Sequence, residues 1–212
     1  MDNLYTHQII PGVLEKSWEE IEKKIDVIKT FSDKIHIDFI DSSFSQNQTF
    51  LDPSPFLKYK DLFLEAHLQV SKPINYLDKL SKSGFKKFIG NVEKMDSQDE
   101  FIAEGELLGE VALGLNLKTP ITDIKVPFED IDSILLLCIP SNESGLGFDS
   151  SSLQKIKELR LKTFIPIEVD GGINDQTLVQ CKNAGASAFV STSFISDSPN
   201  LAEQYQKLQS LI

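Results

Sequence analysis

The segment HIDFID, residues 36–41, places His36 and Asp38 two positions apart in a run that otherwise reads as an apolar strand. Side chains two apart on a strand share a face, so an imidazole and a carboxylate project together. By the same rule LFLEAHLQV sets Glu65, His67 and Gln69 on one face, and FIPIEVD ends at Asp170 just before Gly171 and Gly172. His36, Asp38, His67 and Asp170 form a donor set suited to one divalent transition metal ion (zinc, iron, manganese or cobalt), with room left for substrate oxygens. Taken singly, each has a plainer explanation: a strand His is more often a satisfied core residue, and an Asp at a strand end usually caps a helix or forms a turn. Their coincidence points to chemistry, since it takes in two of the three histidines; His7 is given no role.

The four residues can meet only if the fold brings their strands together. Eight short apolar runs are strand-like: HQIIPGVL, KIHIDFI, LFLEAHLQV, KKFIGNV, EVALGLN, SILLLCIP, FIPIEVD and SAFVSTS. Between most of them lie segments with helical spacing, SWEEIEKKIDVIKTF, INYLDKLSKSG, QDEFIAEGELLG, SSSLQKIKELRLK and DQTLVQCKNAG, and NLAEQYQKLQSLI follows the last. Ser17 precedes a first turn carrying Glu19 and Glu20, and Gly84 and Gly185 stand just past helix ends. The links after Asn47 and after Pro120 show only short helical turns. Strands alternating with helices imply a parallel sheet with right-handed crossovers, and eight units in 212 residues predict a compact (β/α)8 TIM barrel. A doubly wound dinucleotide-binding sheet is the rival, but PGVLEKSW after the first strand has no G-x-G-x-x-G. In a barrel, chemistry gathers at the carboxyl ends of the strands, where these four residues fall.

Composition narrows the setting. No long Ser/Gly/Pro tract or block of like charge divides the chain, so a single barrel domain over residues 1–212 is expected. A net charge of -11 argues against nucleic acid and anionic membranes as partners, and an anionic substrate would need a local site to overcome that field. The opening MDNLYTHQII lacks the basic leader and apolar core of a signal peptide, and no run approaches a membrane span, so a cytoplasmic location is expected. Cys138 and Cys181 fit a reducing compartment and are read as packing residues.

HIDFIDSSFSQNQTF, EAHLQV, IPIEVDGGIN and GASAFVSTSFI together resemble the ribulose-phosphate 3-epimerase family, whose pattern runs H-x-D-x-x-D-G-x-F-x-x-N, H-L-M-V, V-D-G-G and then Gly-Ser near the end. GLNLKTPI resembles that family's fifth-strand A-L-N-P-x-T-P, and KIKELR its sixth helix. Order and spacing agree over nearly the whole chain.

The resemblance implies a phosphate-binding barrel that inverts C3 of a ketose phosphate, interconverting ribulose and xylulose 5-phosphates through an enediolate. It implies His36, Asp38, His67 and Asp170 as ligands of one divalent metal ion, and Asp38 and Asp170 as the two proton-transfer carboxylates. Inversion needs a proton taken from one face and returned to the other, which two carboxylates on different strands can do. For the phosphate, Gly171 and Gly172 after the seventh strand and Ser193 after the eighth are expected. The sixth loop is expected to contribute Ser144 and Gly145, although PSNESGLGF there departs from the family's G-F-G-G-Q. Asp41, beyond the strand and out of its parity, is expected to organise a loop.

Other departures concern the substrate lining. The family's P-S-x-L-S-A-D is PGVLEKS here, so Gly12 replaces a substrate-contacting serine and Glu15 the next. Ile40, Gln69 and Leu137 replace methionines, Ser42 replaces a glycine, and Thr192 stands for the usual Gly of the eighth loop. Three activities therefore stay open: epimerisation of ribulose 5-phosphate, epimerisation of another ketose phosphate such as a hexulose 6-phosphate, and non-catalytic binding of metal or sugar phosphate. A lyase such as hexulose-phosphate synthase would show D-x-K-x-x-D, and HIDFID carries no lysine. A homo-oligomer is expected from the habit of such barrels.

Overall fold

The structure, a computed structural model, describes residues 6–140 and 147–212. Strands β1 (Gln8–Val13), β2 (Lys34–Ile40), β3 (Phe63–Gln69), β4 (Phe85–Asn91), β5 (Glu110–Leu115), β6 (Ser133–Leu137), β7 (Ile167–Asp170) and β8 (Ala188–Ser191) pair in parallel in chain order, and β8 closes onto β1. The expected eight-stranded barrel is therefore the fold, and each expected run contains its strand except KKFIGNV, which starts one residue late for β4 at Phe85.

Helices α1 (Trp18–Ile28), α2 (Leu77–Lys82), α3 (Gln98–Gly105), α4 (Ser151–Arg160) and α5 (Asp175–Ala184) lie between strands, while α6 (Ser193–Ser196) and α7 (Leu201–Gln209) follow β8. Helix starts are chemically marked. The Ser17 hydroxyl accepts from Glu20 N–H, Ser97 accepts from Glu100 N–H, and Asn174 with Thr177 forms a reciprocal capping box on α5. The two weak links are indeed short helical turns: 3-10 helix at Ser54–Tyr59 before β3, and at Ile121–Asp123 and Phe128–Asp130 before β6.

Strand parity divides the apolar residues into two populations. Ile35, Ile37 and Phe39 of β2, Leu64, Ala66 and Leu68 of β3, and Ile134 and Leu136 of β6 face outward into one core shared with Ile21, Ile25 and Ile28 of α1 and the other helices. Phe39, Phe56 and Phe85 meet at 5.1–6.0 Å between ring centroids within it. This outer layer carries most of the apolar burial, the main favourable contribution to folding. The alternate residues face the barrel axis. There Ile89, Ala112, Leu135 and Leu137 make a small separate apolar cluster, and much of the remaining interior is polar: His36, Asp38, Glu65, His67, Lys87, Asn91, Glu168 and Asp170 are all buried. A barrel interior this rich in charge must satisfy itself by pairing.

Among the described residues, no helix is long and apolar enough to cross a membrane.

Candidate active site

Register sets the site. Asp38 of β2 is level with His67 of β3, and His36 is level with Glu65 one pleat lower. Asp170 ends β7, level with Val190 of β8 and Leu137 of β6. The four expected residues thus come together although 132 positions separate Asp38 from Asp170. One donor atom from each of His36, Asp38, His67 and Asp170 lies within 4.8 Å of all the others, and all four side chains are buried. His67 Nδ1 is 2.9 Å from Asp38 Oδ1 and 3.8 Å from Asp170 Oδ2, and His36 Nε2 is 3.5 Å from Asp38 Oδ1.

Both imidazoles are oriented from behind. His36 Nδ1–H donates to Glu65 Oε1 at 2.8 Å, and His67 Nε2–H donates to Asn91 Oδ1 at 2.8 Å. Asn91 is held in that sense because its amide group donates to Glu93 Oε2 at 3.1 Å and Asn116 Oδ1 at 3.3 Å. The tautomers follow from these partners. They leave His36 Nε2 and His67 Nδ1 as the nitrogens that face the two aspartates. His36 Nε2 is buried without a hydrogen-bond partner, a costly arrangement unless something binds it. Two nitrogen and two carboxylate donors, one nitrogen an orphan and both imidazoles braced by acceptors, fit a divalent metal ion.

The electrostatics agree. Burial alone would lower His36, but Asp38, Glu168 and Glu65 together hold it well above the ordinary imidazole range, so the pocket draws positive charge. Burial alone would raise Asp38, but His36 and His67 hold it far below the usual carboxylate range. Asp170 is pushed up to about 6, first by burial and then by the charge of Asp38. Gln69 Nε2 donates to Asp38 Oδ1 at 3.0 Å, so this residue of the altered lining braces one carboxylate.

A second layer beneath was read only in part from the sequence, which put Glu65 on the face of His67 but gave no role to Lys87 or Glu168. Lys87 of β4 reaches Glu168 at 2.5 Å and Glu65 at 3.6 Å, and Lys34 reaches Glu65 at 3.4 Å. Burial lowers Lys87, but Glu168 and Glu65 outweigh it and keep the ammonium charged. His36, Glu65 and Glu168 also lie close enough to share an ion, yet the Lys87 ammonium already supplies the cation there. The usable signal was parity: Glu65 and Glu168 each stand two positions before an inward site residue. A cavity of about 610 Å³, lined in part by Lys34, Lys87, Ser133 and Glu168, opens at the amino-terminal ends of the strands, on the side away from Asp170.

The remaining expected residues fall into place unevenly. Gly171 and Gly172 turn the chain out of β7 with φ of 103° and 69°, and a Cβ on Gly172 would stand 2.6 Å from Phe148 N, so glycine is required there. Ser193 opens α6 and is exposed. Ser144 and Gly145 lie outside the described residues. Asp41 is a loop organiser, as expected: Oδ1 accepts from Ser43 N–H and Oγ–H, and Oδ2 accepts from Ser71 N–H. Glu15 is paired with Lys24 of α1. Cys138 and Cys181 are both free and buried.

With this geometry in place, comparison with known proteins is decisive. Residues 8–196 match the model of the ribulose-phosphate 3 epimerase family. The chain belongs to that family. It is 31% identical to a ribulose-phosphate 3-epimerase of Bacillus subtilis, covering 89% of this chain and 91% of that protein, and 29% identical to one of Schizosaccharomyces pombe, covering 86% and 84%. An epimerase of rice described as a cytoplasmic isoform is 28% identical over 89% of this chain and 86% of its own. Among solved structures, KGPDC from Streptococcus mutans superposes with a TM-score of 0.73 at 10% identity, covering 97% of this chain and 97% of that one. A 3-hexulose-6-phosphate synthase superposes at 0.70 and 16%, covering 97% and 99%. At those identities the structural matches bear on the barrel alone. Membership in the epimerase family makes this protein an isomerase of the sugar-phosphate epimerase type.

Proposed function

We propose that the chain is a metal-dependent 3-epimerase of a phosphorylated ketose, with ribulose 5-phosphate and xylulose 5-phosphate as the first pair to test. The observation that carries this reading is the pairing of Asp38 and Asp170. They reach one cluster from non-neighbouring strands, each beside the two imidazoles, so two carboxylates stand at one site from different sides of the barrel.

His36, Asp38, His67 and Asp170 would hold one divalent ion, zinc, iron, manganese or cobalt. When bound, it supplies Lewis acidity for the negative charge that develops as the C3 proton leaves. Asp38 is the group suited to take that proton, with Gln69 fixing its orientation. Asp170, across the barrel on β7, is suited to return a proton to the opposite face, which inverts the centre. The reverse direction exchanges the two roles. Backbone N–H groups at Gly171 and Gly172, with Ser193, are assigned to the phosphate, and Ser144 and Gly145 are assigned to it on sequence pattern alone. The enzyme is assigned to the cytoplasm, as one domain that assembles as a homo-oligomer.

Ile40, Gln69 and Leu137 are inward-facing and buried close to the site. Their divergence from the family's methionines keeps a hexulose 6-phosphate as a second substrate to test. The assay is exchange of the C3 proton with solvent deuterium, followed by NMR on metal-loaded protein, with Asp38→Asn and Asp170→Asn as controls. Exchange that each variant abolishes supports the reading. No exchange with any ketopentose or ketohexose phosphate would sink it in favour of non-catalytic binding.

A further inference from the structure

The amide of Asn91, which braces His67, could turn either way on shape alone, because its oxygen and nitrogen ends are nearly the same size. Glu93 removes the choice. It lies in the 3-10 turn Val92–Lys94 that follows β4, and its Oε2 accepts from Asn91 Nδ2 at 3.1 Å. A carboxylate only accepts, so the Asn91 NH2 group must point at Glu93 and the amide oxygen at His67 Nε2. Turned the other way, Asn91 would set its oxygen against a negative charge and offer His67 a donor in place of an acceptor.

Glu93 is itself fixed from the next strand. Its Oε1 accepts from Asn116 N–H at 2.8 Å, one residue past β5. Lys155 of α4 holds that stretch of chain: its ammonium donates to Asn116 O at 2.7 Å, Leu117 O at 3.1 Å and Thr119 O. Burial brings the Lys155 ammonium down to about 8, and Glu93 is the first of the charges that oppose this, so the glutamate has a counter-ion. The strands also leave room for the arrangement. Gly114 of β5 is level with Asn91, and a Cβ there would stand 2.6 Å from Asn91 Oδ1 and 3.2 Å from its Cγ. Gly114 is not among the glycines with positive φ, so glycine is present for space, and the Asn91 amide fills that space.

We infer that Glu93 is a positioning residue for His67: by fixing the sense of the Asn91 amide it decides that Nε2 of His67 carries the proton and that Nδ1 is left for the ion. The inference deepens the epimerase reading and rests on it only for the ion. Glu93 touches neither ion nor substrate, and it acts through Asn91 alone.

His36 supplies the internal control, since its Nδ1–H is held by Glu65 and owes nothing to Glu93. Zinc-loaded protein should show both buried ring protons by NMR, His36 Nδ1–H on Glu65 and His67 Nε2–H on Asn91. Glu93→Gln keeps the shape and removes the obligation to accept. It should speed solvent exchange of the His67 proton by about tenfold and leave that of His36 unchanged. It should also weaken zinc binding in a chelator titration by about tenfold, the low end of what a partner directly behind a ligand contributes. Gly114→Ala disturbs the same amide from β5 without touching Glu93 and should reproduce both effects. Zinc affinity equal to the parent, an unchanged His67 proton, or equal acceleration of both protons, as general loosening would give, would each overturn the role of Glu93. A parent that takes up no zinc would refute the metal site alone, and the same comparison of the two protons without metal would then decide the role of Glu93.

Discussion

Glu65 Oε1 lies 2.8 Å from His36 Nδ1 inside the barrel, and that contact decides which nitrogen of His36 faces the site. A carboxylate behind a ligating imidazole fixes its tautomer and raises its basicity, and losing such a partner typically costs 10–100-fold in metal affinity. Glu65→Leu should therefore weaken binding of zinc or manganese by about that factor in a chelator competition titration, and Glu65→Gln, which keeps an acceptor oxygen, should lose less. Unchanged affinity in Glu65→Leu would remove Glu65 from the site.

The raised Asp170 predicts how the metal-free protein responds to pH. Its folded value is about 6, against about 3.9 for an unfolded chain. Between those values the folded state keeps a proton that the unfolded state has released, so the stabilisation is full below about pH 4 and is lost as pH rises toward 6. Asp170→Asn has no such proton to lose. In urea unfolding of chelator-treated protein, the variant should gain on the parent across pH 4–7, reaching about 1–3 kcal/mol at pH 7. Parallel pH profiles for the two proteins would contradict the buried, like-charge environment described for Asp170.

Lys87 makes the opposite case. It is 3% exposed and sits against two buried glutamates, so its ammonium cannot be removed without leaving their charge unanswered. Breaking a buried pair from one side typically costs about 3–5 kcal/mol. Lys87→Met should lose stability on that scale by denaturant titration. Combining it with Glu168→Gln should return part of the loss, and a simple sum of the two single effects would show that the layer is not coupled.

Gly172 is the position where backbone and neighbour both forbid a side chain. With φ of 69° and Phe148 N 2.6 Å from a modest Cβ, Gly172→Ala must shift the loop that follows β7. The expected cost is about 1–3 kcal/mol of stability, together with weaker binding of inorganic phosphate in a thermal-shift titration. Phosphate binding identical to the parent would remove this loop from the phosphate site.

Much of this molecule was legible in its chain. Alternation of apolar runs with amphipathic segments required a parallel sheet, and eight repeats of that unit closed it. The spacing of two between His36 and Asp38 put both on one face, and the motifs around Asp170 tied β7 to them. The layer below was less visible. Lys87 in KKFIGNV reads as one of two strand-end lysines, and only the register that sets it beside Glu65 turns it inward. Gly12 and Thr192 were visible as separate departures, but only the barrel, across 180 positions of chain, sets the Thr192 hydroxyl where a Gly12 Cβ would otherwise stand. Period and residue type are local and survive in one dimension. Which nitrogen of an imidazole is free, which carboxylate stays protonated, and whose hydroxyl fills a glycine's gap depend on distances of a few ångströms between strands remote in sequence, and only closure of the barrel sets those.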